Sequence, residues 1–155
     1  MPSSIREQIV AKLIAALAAA GGPASLTVHR ERTRAIETDS LPAILVYFDD
    51  DKPDPFDQQQ YRSPLVKRTL NVALQCRAQG SSSVSPDAAL DPVLNWAVQQ
   101  IMANETFDGL ALGAEEGATQ WKSREGDVPI AAATLSVSVR YRTSRLDPTA
   151  DATNT

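Results

Sequence analysis

The sequence predicts an α+β fold, one mostly antiparallel β-sheet of about five strands with two α-helices packed on one face, in the order α-β-β-β-α-β-β. Three observations predict it. Two segments repeat their apolar residues at helical spacing, and several others alternate with a period of two. Helices too few to cover both sides of such a sheet must share one side, leaving the other to water or a partner. The chain has 155 residues, of which 43% are hydrophobic and 22% charged. That is enough apolar material for one domain, expected over 1–146 and followed by a polar tail over 147–155.

Ser4 opens a capping box with Glu7 three residues on, and Ile5, Ile9, Leu13 and Leu17 then fall on one helical face. The helix is expected from Ser4 to Ala20, where Gly21-Gly22-Pro23 ends it. Leu26 to Ile36, rich in β-branched and charged residues, reads as a polar or edge strand. Pro42 introduces the next strand, Ala43 to Phe48, which is apolar on both faces and therefore central. From Asp49 to Pro64 the chain turns polar, acidic and proline-bearing, the composition of a long loop with no core face.

Val66 to Ala78 alternates, with Val66, Leu70, Val72, Leu74 and Cys76 on one parity against Lys67, Thr69, Asn71, Gln75 and Arg77. Arg68 breaks the buried parity near the strand's end. After a serine-rich linker, Ser85 is the N-cap of a second helix with Pro86 at its first position. Leu90, Val93, Leu94, Ala97, Val98 and Ile101 form its apolar face. Pro92 allows a later start at Asp91-Pro92 instead. Asp108 to Gly117 reads as irregular. Ala118 to Arg124 and Ile130 to Thr143 read as a hairpin turning at Glu125-Gly126-Asp127.

The composition bounds the chemistry. A formal net charge of −4 is the wrong sign for a binder that relies on phosphate contacts. A single cysteine excludes an internal disulfide, and the longest apolar run near the start is too short to cross a bilayer. His29, the only histidine, has no visible nucleophile or carboxylate partner and reads as a half-exposed strand residue. Cys76 reads as a small core hydrophobe. No phosphate-binding glycine loop with a lysine occurs. No catalytic, cofactor-binding or metal-ligating set is therefore expected. The aspartates Asp49, Asp50, Asp51, Asp54 and Asp57 lack a calcium-loop pattern and read as a solvated acidic segment. Arg30, Arg32, Arg34, Arg140 and Arg142 alternate along strands and are expected to form a basic stripe on the exposed sheet face.

Three stretches carry a family resemblance. They are the opening helix, the strand Pro42-Ala-Ile-Leu-Val-Tyr-Phe-Asp-Asp-Asp with its acidic continuation, and Lys67-Arg-Thr-Leu-Asn-Val-Ala-Leu-Gln-Cys-Arg-Ala. The helix Asp87 to Met102 and the closing strand Ala133-Thr-Leu-Ser-Val-Ser-Val-Arg-Tyr-Arg-Thr complete the order. In that order and character the chain resembles the tail terminator proteins of long-tailed bacteriophages. The resemblance implies a non-enzymatic virion protein that caps the tail tube as a ring of six copies, ends tube polymerisation and joins the tail to the capsid neck. It implies as partners the chain itself, the tail tube protein and a neck or head-completion protein. DNA would pass through the ring without specific binding, no membrane would be involved, and no cofactor is implied.

The residues expected at the interface or lumen are Asp49, Asp50, Asp51, Asp54, Phe56, Asp57, Tyr61, Arg140 and Arg142. Phe56 and Tyr61 are the apolar anchors of the acidic segment, and Arg140 and Arg142 are possible mates for its carboxylates. Two alternatives stand beside this reading. One is another neck protein, a head-completion or tail-completion factor. The other is a ligand-binding or enzymatic module on a ferredoxin-like scaffold, which would need a concave pocket with convergent polar groups.

Overall fold

The computed structural model describes residues 3–30, 41–54, 65–122, 130–144 and 149. Among these residues seven elements follow one another: α1 (Ile5–Leu17), β1 (Thr27–Arg30), β2 (Ala43–Pro53), β3 (Leu65–Gln79), α2 (Pro86–Ala103), β4 (Gly113–Trp121) and β5 (Ile130–Ser144). The strands form one sheet in the order β1-β2-β3-β5-β4. β1 runs parallel to β2 and every other pair is antiparallel. The α+β architecture read from the sequence is the architecture of the protein.

Both helices lie on one face. Ile5, Ile9, Val10, Leu13 and Leu17 of α1 and Leu90, Val93, Ala97 and Ile101 of α2 are buried there. They meet Ile44, Val46, Leu70, Val72, Leu74 and Cys76 from the sheet, with Leu135, Val137 and Val139 alongside. The parity read in β3 and β5 is the parity observed. Ser4 caps α1 by accepting from the Glu7 N–H at 3.1 Å, and Ser85 caps α2 by accepting from Ala88. α2 begins at Pro86, and Pro92 sits inside it on an exposed turn, where water can reach the carbonyl it leaves unpaired. α1 stops at Leu17, three residues before the expected end. The Trp96 indole N–H donates to the Leu17 carbonyl at 2.8 Å and so satisfies one of the helix's terminal acceptors. Gly22 makes room for that indole, since a Cβ there would stand 2.8 Å from Trp96 Cε2.

Three further expectations need correction. Asp49–Pro53 is not loop, because the 15-residue β3 is long enough to carry β2 pairing past Phe48 as far as Pro53↔Arg68. β4 starts at Gly113, five residues before the expected Ala118. Its glycines are what hid it: Gly117 lies at a register shift against β5, where an added Cβ would come within 3.1 Å of the Ser136 carbonyl oxygen. Arg30 does not join the exposed stripe either. It pairs in register with Val46 on the helix face, where it forms an ion pair with Glu7 and lies 4.9 Å over the Phe48 ring.

The remainder of the strand expected to Ile36, with Arg32 and Arg34, lies outside the described residues. So do the Glu125-Gly126-Asp127 turn and, apart from Thr149, the polar tail.

Candidate functional site

The acidic segment becomes a site through one irregularity. Pairing runs Phe48↔Val72 and then Asp50↔Asn71, so Asp49 is an extra residue in β2. A bulge re-aims the side chains that follow it. Asp51 pairs with Leu70 and therefore faces the helices, while Asp50 faces the opposite side.

On the helix side, Asp51 is a buried carboxylate, its side chain 8% exposed. The Tyr141 hydroxyl from β5 donates to Oδ2 at 2.5 Å, Arg6 Nη1 from α1 donates to Oδ2 at 3.1 Å, and Arg68 Nε from β3 donates to Oδ1 at 3.3 Å. Four elements are thus tied to one carboxylate. The arrangement answers the cost of burying a charge, which falls when the charge is paired and hydrogen-bonded. Burial, reinforced by the adjacent carboxylate, raises the Tyr141 phenol above its ordinary value. Arg68, which breaks the alternation in β3, is explained by this: it sits on the buried parity because its partner is there.

A pocket of about 350 Å³ opens beside the cluster, lined by Ser4, Arg6, Asp51, Arg68, Tyr141 and Thr143 among others. A second, of about 290 Å³, continues past Arg68 to Lys67, Asp54 and Arg140 and the start of β4 at Leu112 and Gly113. Arg140 stands 3.8 Å from Asp54 of its own chain. The Asp54 N–H donates to the Lys67 carbonyl, which fixes that aspartate at the rim.

On the open face, Asn71 Nδ2 donates to Asp50 Oδ1 at 2.6 Å, and Ser138 Oγ donates to Asn71 Oδ1 at 2.7 Å. Lys52 Nζ lies 3.5 Å from Asp50. This ladder crosses three strands. Lys67, Ser136 and Arg140 on the same face are exposed, whereas Ala43, Leu45 and Gln75 toward its other end are buried. Arg142 faces this side too, its Nε buried with no hydrogen-bond partner among the described residues.

Of the residues singled out in the sequence, Asp50, Asp51, Asp54, Arg140 and Arg142 gather at one end of the sheet, and Asp49 is the bulge that sorts them. Phe56, Asp57 and Tyr61 lie outside the described residues. Sequence reasoning missed Arg6, Arg68 and Tyr141. The signal available was Arg68, a charge on an otherwise apolar parity.

Among the described residues no group of three or more His, Cys, Asp or Glu side chains is placed to hold a metal ion. His29 Nε2 lies 3.1 Å from the Thr27 hydroxyl. No protein-family model matches this sequence, and no curated protein is significantly similar to it.

Proposed function

We propose that this chain is a structural ring protein of a long-tailed bacteriophage, one that caps the tail tube, ends its polymerisation and joins it to the capsid neck. The observation that carries the reading is the one-sided sheet. With both helices on one face, the exposed end of the other face around Lys67, Ser136 and Arg140 and the outer edge of β4 remain for neighbours, and a ring needs two different surfaces on each copy. The acidic balance of the chain supports it further, because a lumen of the same sign as phosphate lets DNA slide instead of binding it. The partners are other copies of the chain, the tube protein and a neck protein. The protein acts by occupying a position and needs no reaction.

Electron microscopy of the purified chain mixed with polymerising tail tubes tests this. The expected result is tubes of uniform length bearing a closed six-fold ring at one end. Tubes that grow without limit in the presence of the chain, with no added density at their ends, would refute it.

A further inference from the structure

We propose that the pocket between Arg6 and Arg68 receives a carboxylate from a second copy of this chain, supplied by Glu116 of the exposed Glu115-Glu116 pair on the outer strand β4. The inference rests on the ring reading above and adds the contact that would close it.

The receiving side has unspent donors. A guanidinium carries five N–H groups. Arg6 and Arg68 each spend one on Asp51, Arg68 also interacts with the Tyr141 hydroxyl, and most of the remaining donors have no acceptor among the described residues. Two cations thus share one carboxylate, which leaves a local positive excess in a chain whose net charge is −4. Arg6 and Arg68 side chains are 44% and 29% exposed, so both are held in place yet reachable from the pocket. Ser4 and Thr143 add hydroxyls to the wall, and Ser4 marks the N-terminal end of α1, the positive end of that helix. Lys67 in the adjoining pocket, beside the Arg140–Asp54 pair, extends the same sign.

Among the exposed carboxylates of the described residues, Asp49, Glu105, Glu115 and Glu116 have no ion pair or side-chain hydrogen bond there, and of these only Glu115 and Glu116 are adjacent and lie on an edge strand. Glu7 is held by Arg30, Asp108 by Lys12, Asp54 by Arg140 and Asp91 by Asn95. Asp87 sits in the first turn of α2, where the helix end already favours it. Glu115 and Glu116 are adjacent, both exposed, and have no ion pair or side-chain hydrogen bond among the described residues. They lie on the outermost strand, whose far side has no described neighbour, with Trp121 61% exposed farther along. Glu116 pairs in register with Val137 and so points to the helix side of the sheet, the same side as the pocket. An edge in one copy and a strand-end pocket in the next make a heterologous contact, the kind that a closed rotation repeats.

The test compares wild type with the Glu115→Lys/Glu116→Lys variant by sedimentation velocity at low salt, in the presence of tail tube protein. A second variant, Arg6→Cys/Glu116→Cys, is treated with a short bismaleimide. The substituted acids are exposed, and an unchanged thermal midpoint checks that folding is intact. The expected outcome is assembly weakened about tenfold or more by the charge reversal. Wild-type assembly should fall off with salt, and the cysteine variant should give a ladder of covalent multimers. Wild-type rings that persist in the charge-reversed variant, with no multimer ladder, would overturn this contact while leaving the ring intact. A wild type that forms no ring on tubes would overturn the ring reading and this contact together.

Discussion

Asp51 is where the residue scale matters most. A lone aspartate in a strand facing the helices would be destabilising, yet three donors converge on it. Asp51→Ala should cost about 3 kcal/mol by leaving the Tyr141 hydroxyl and the arginines without their shared acceptor, the partial exposure of the arginines keeping the loss near the low end for buried pairs. Urea titration measures it.

Tyr141→Phe removes one hydrogen bond to a charged group and should cost about 1.5–3 kcal/mol at neutral pH. Its pH dependence has a definite sign. The folded-state pKa of Tyr141 is raised, so the protonated phenol is favoured by folding. That stabilisation is fully present below the unfolded-state pKa of about 10 and is lost as pH rises through the folded value. Wild type should therefore lose stability above pH ~10 more steeply than Tyr141→Phe. Parallel curves for the two proteins would contradict it.

Cys76 is buried, and burial pushes its thiol up to about 12. It should resist an aromatic disulfide reagent at about pH 8 in the native protein and react at once in denaturant, since the thiolate is the nucleophile.

At the scale of elements, α2 carries an avoidable defect. Pro92 lies inside the helix, lacks the N–H that would reach Ala88, and is exposed. Pro92→Ala should stabilise the protein by about 1–3 kcal/mol, read as a rise in thermal midpoint. A fall would mean that the proline makes a contact of its own. The loop after α2 is held differently. Phe107 and Asp108 both adopt left-handed backbone, with φ of 49° and 58°, ahead of Gly109 at 90°. Phe107 is buried, and Asn104 Oδ1 accepts from the Asp108 N–H at 3.1 Å, while Lys12 reaches the Asp108 carboxylate from α1. Side-chain contacts thus hold a backbone that non-glycine residues rarely adopt. The alternation that revealed β3 and β5 is absent from the first half of β4, Gly-Ala-Glu-Glu-Gly, which reads as irregular, so the sequence shows the strand only from Ala118 onward. An edge strand with one exposed flank needs no apolar row, so composition alone does not reveal its beginning.

For the whole molecule, the core is a single layer between two helices and one sheet, and Leu74 sits fully buried within it on β3. Leu74→Ala should cost about 2–5 kcal/mol, measured by chemical denaturation. A stability equal to that of the parent would place Leu74 outside the core. The sequence by itself determined the order of elements, the N-cap of the first helix, the inward parity of β3 and β5, and the one-sided placement of the helices. Those properties depend on residues near one another in the chain, where a period of 3.6 or 2 decides which face is apolar. Only the tertiary structure decided the fate of Asp49–Pro53. Three consecutive aspartates read as loop because their charges are costly to bury alone. The donors that offset that cost, Arg6, Arg68 and Tyr141, come from three other elements, 17 to 90 positions away along the chain. Their meeting depends on a one-residue bulge that no local periodicity encodes.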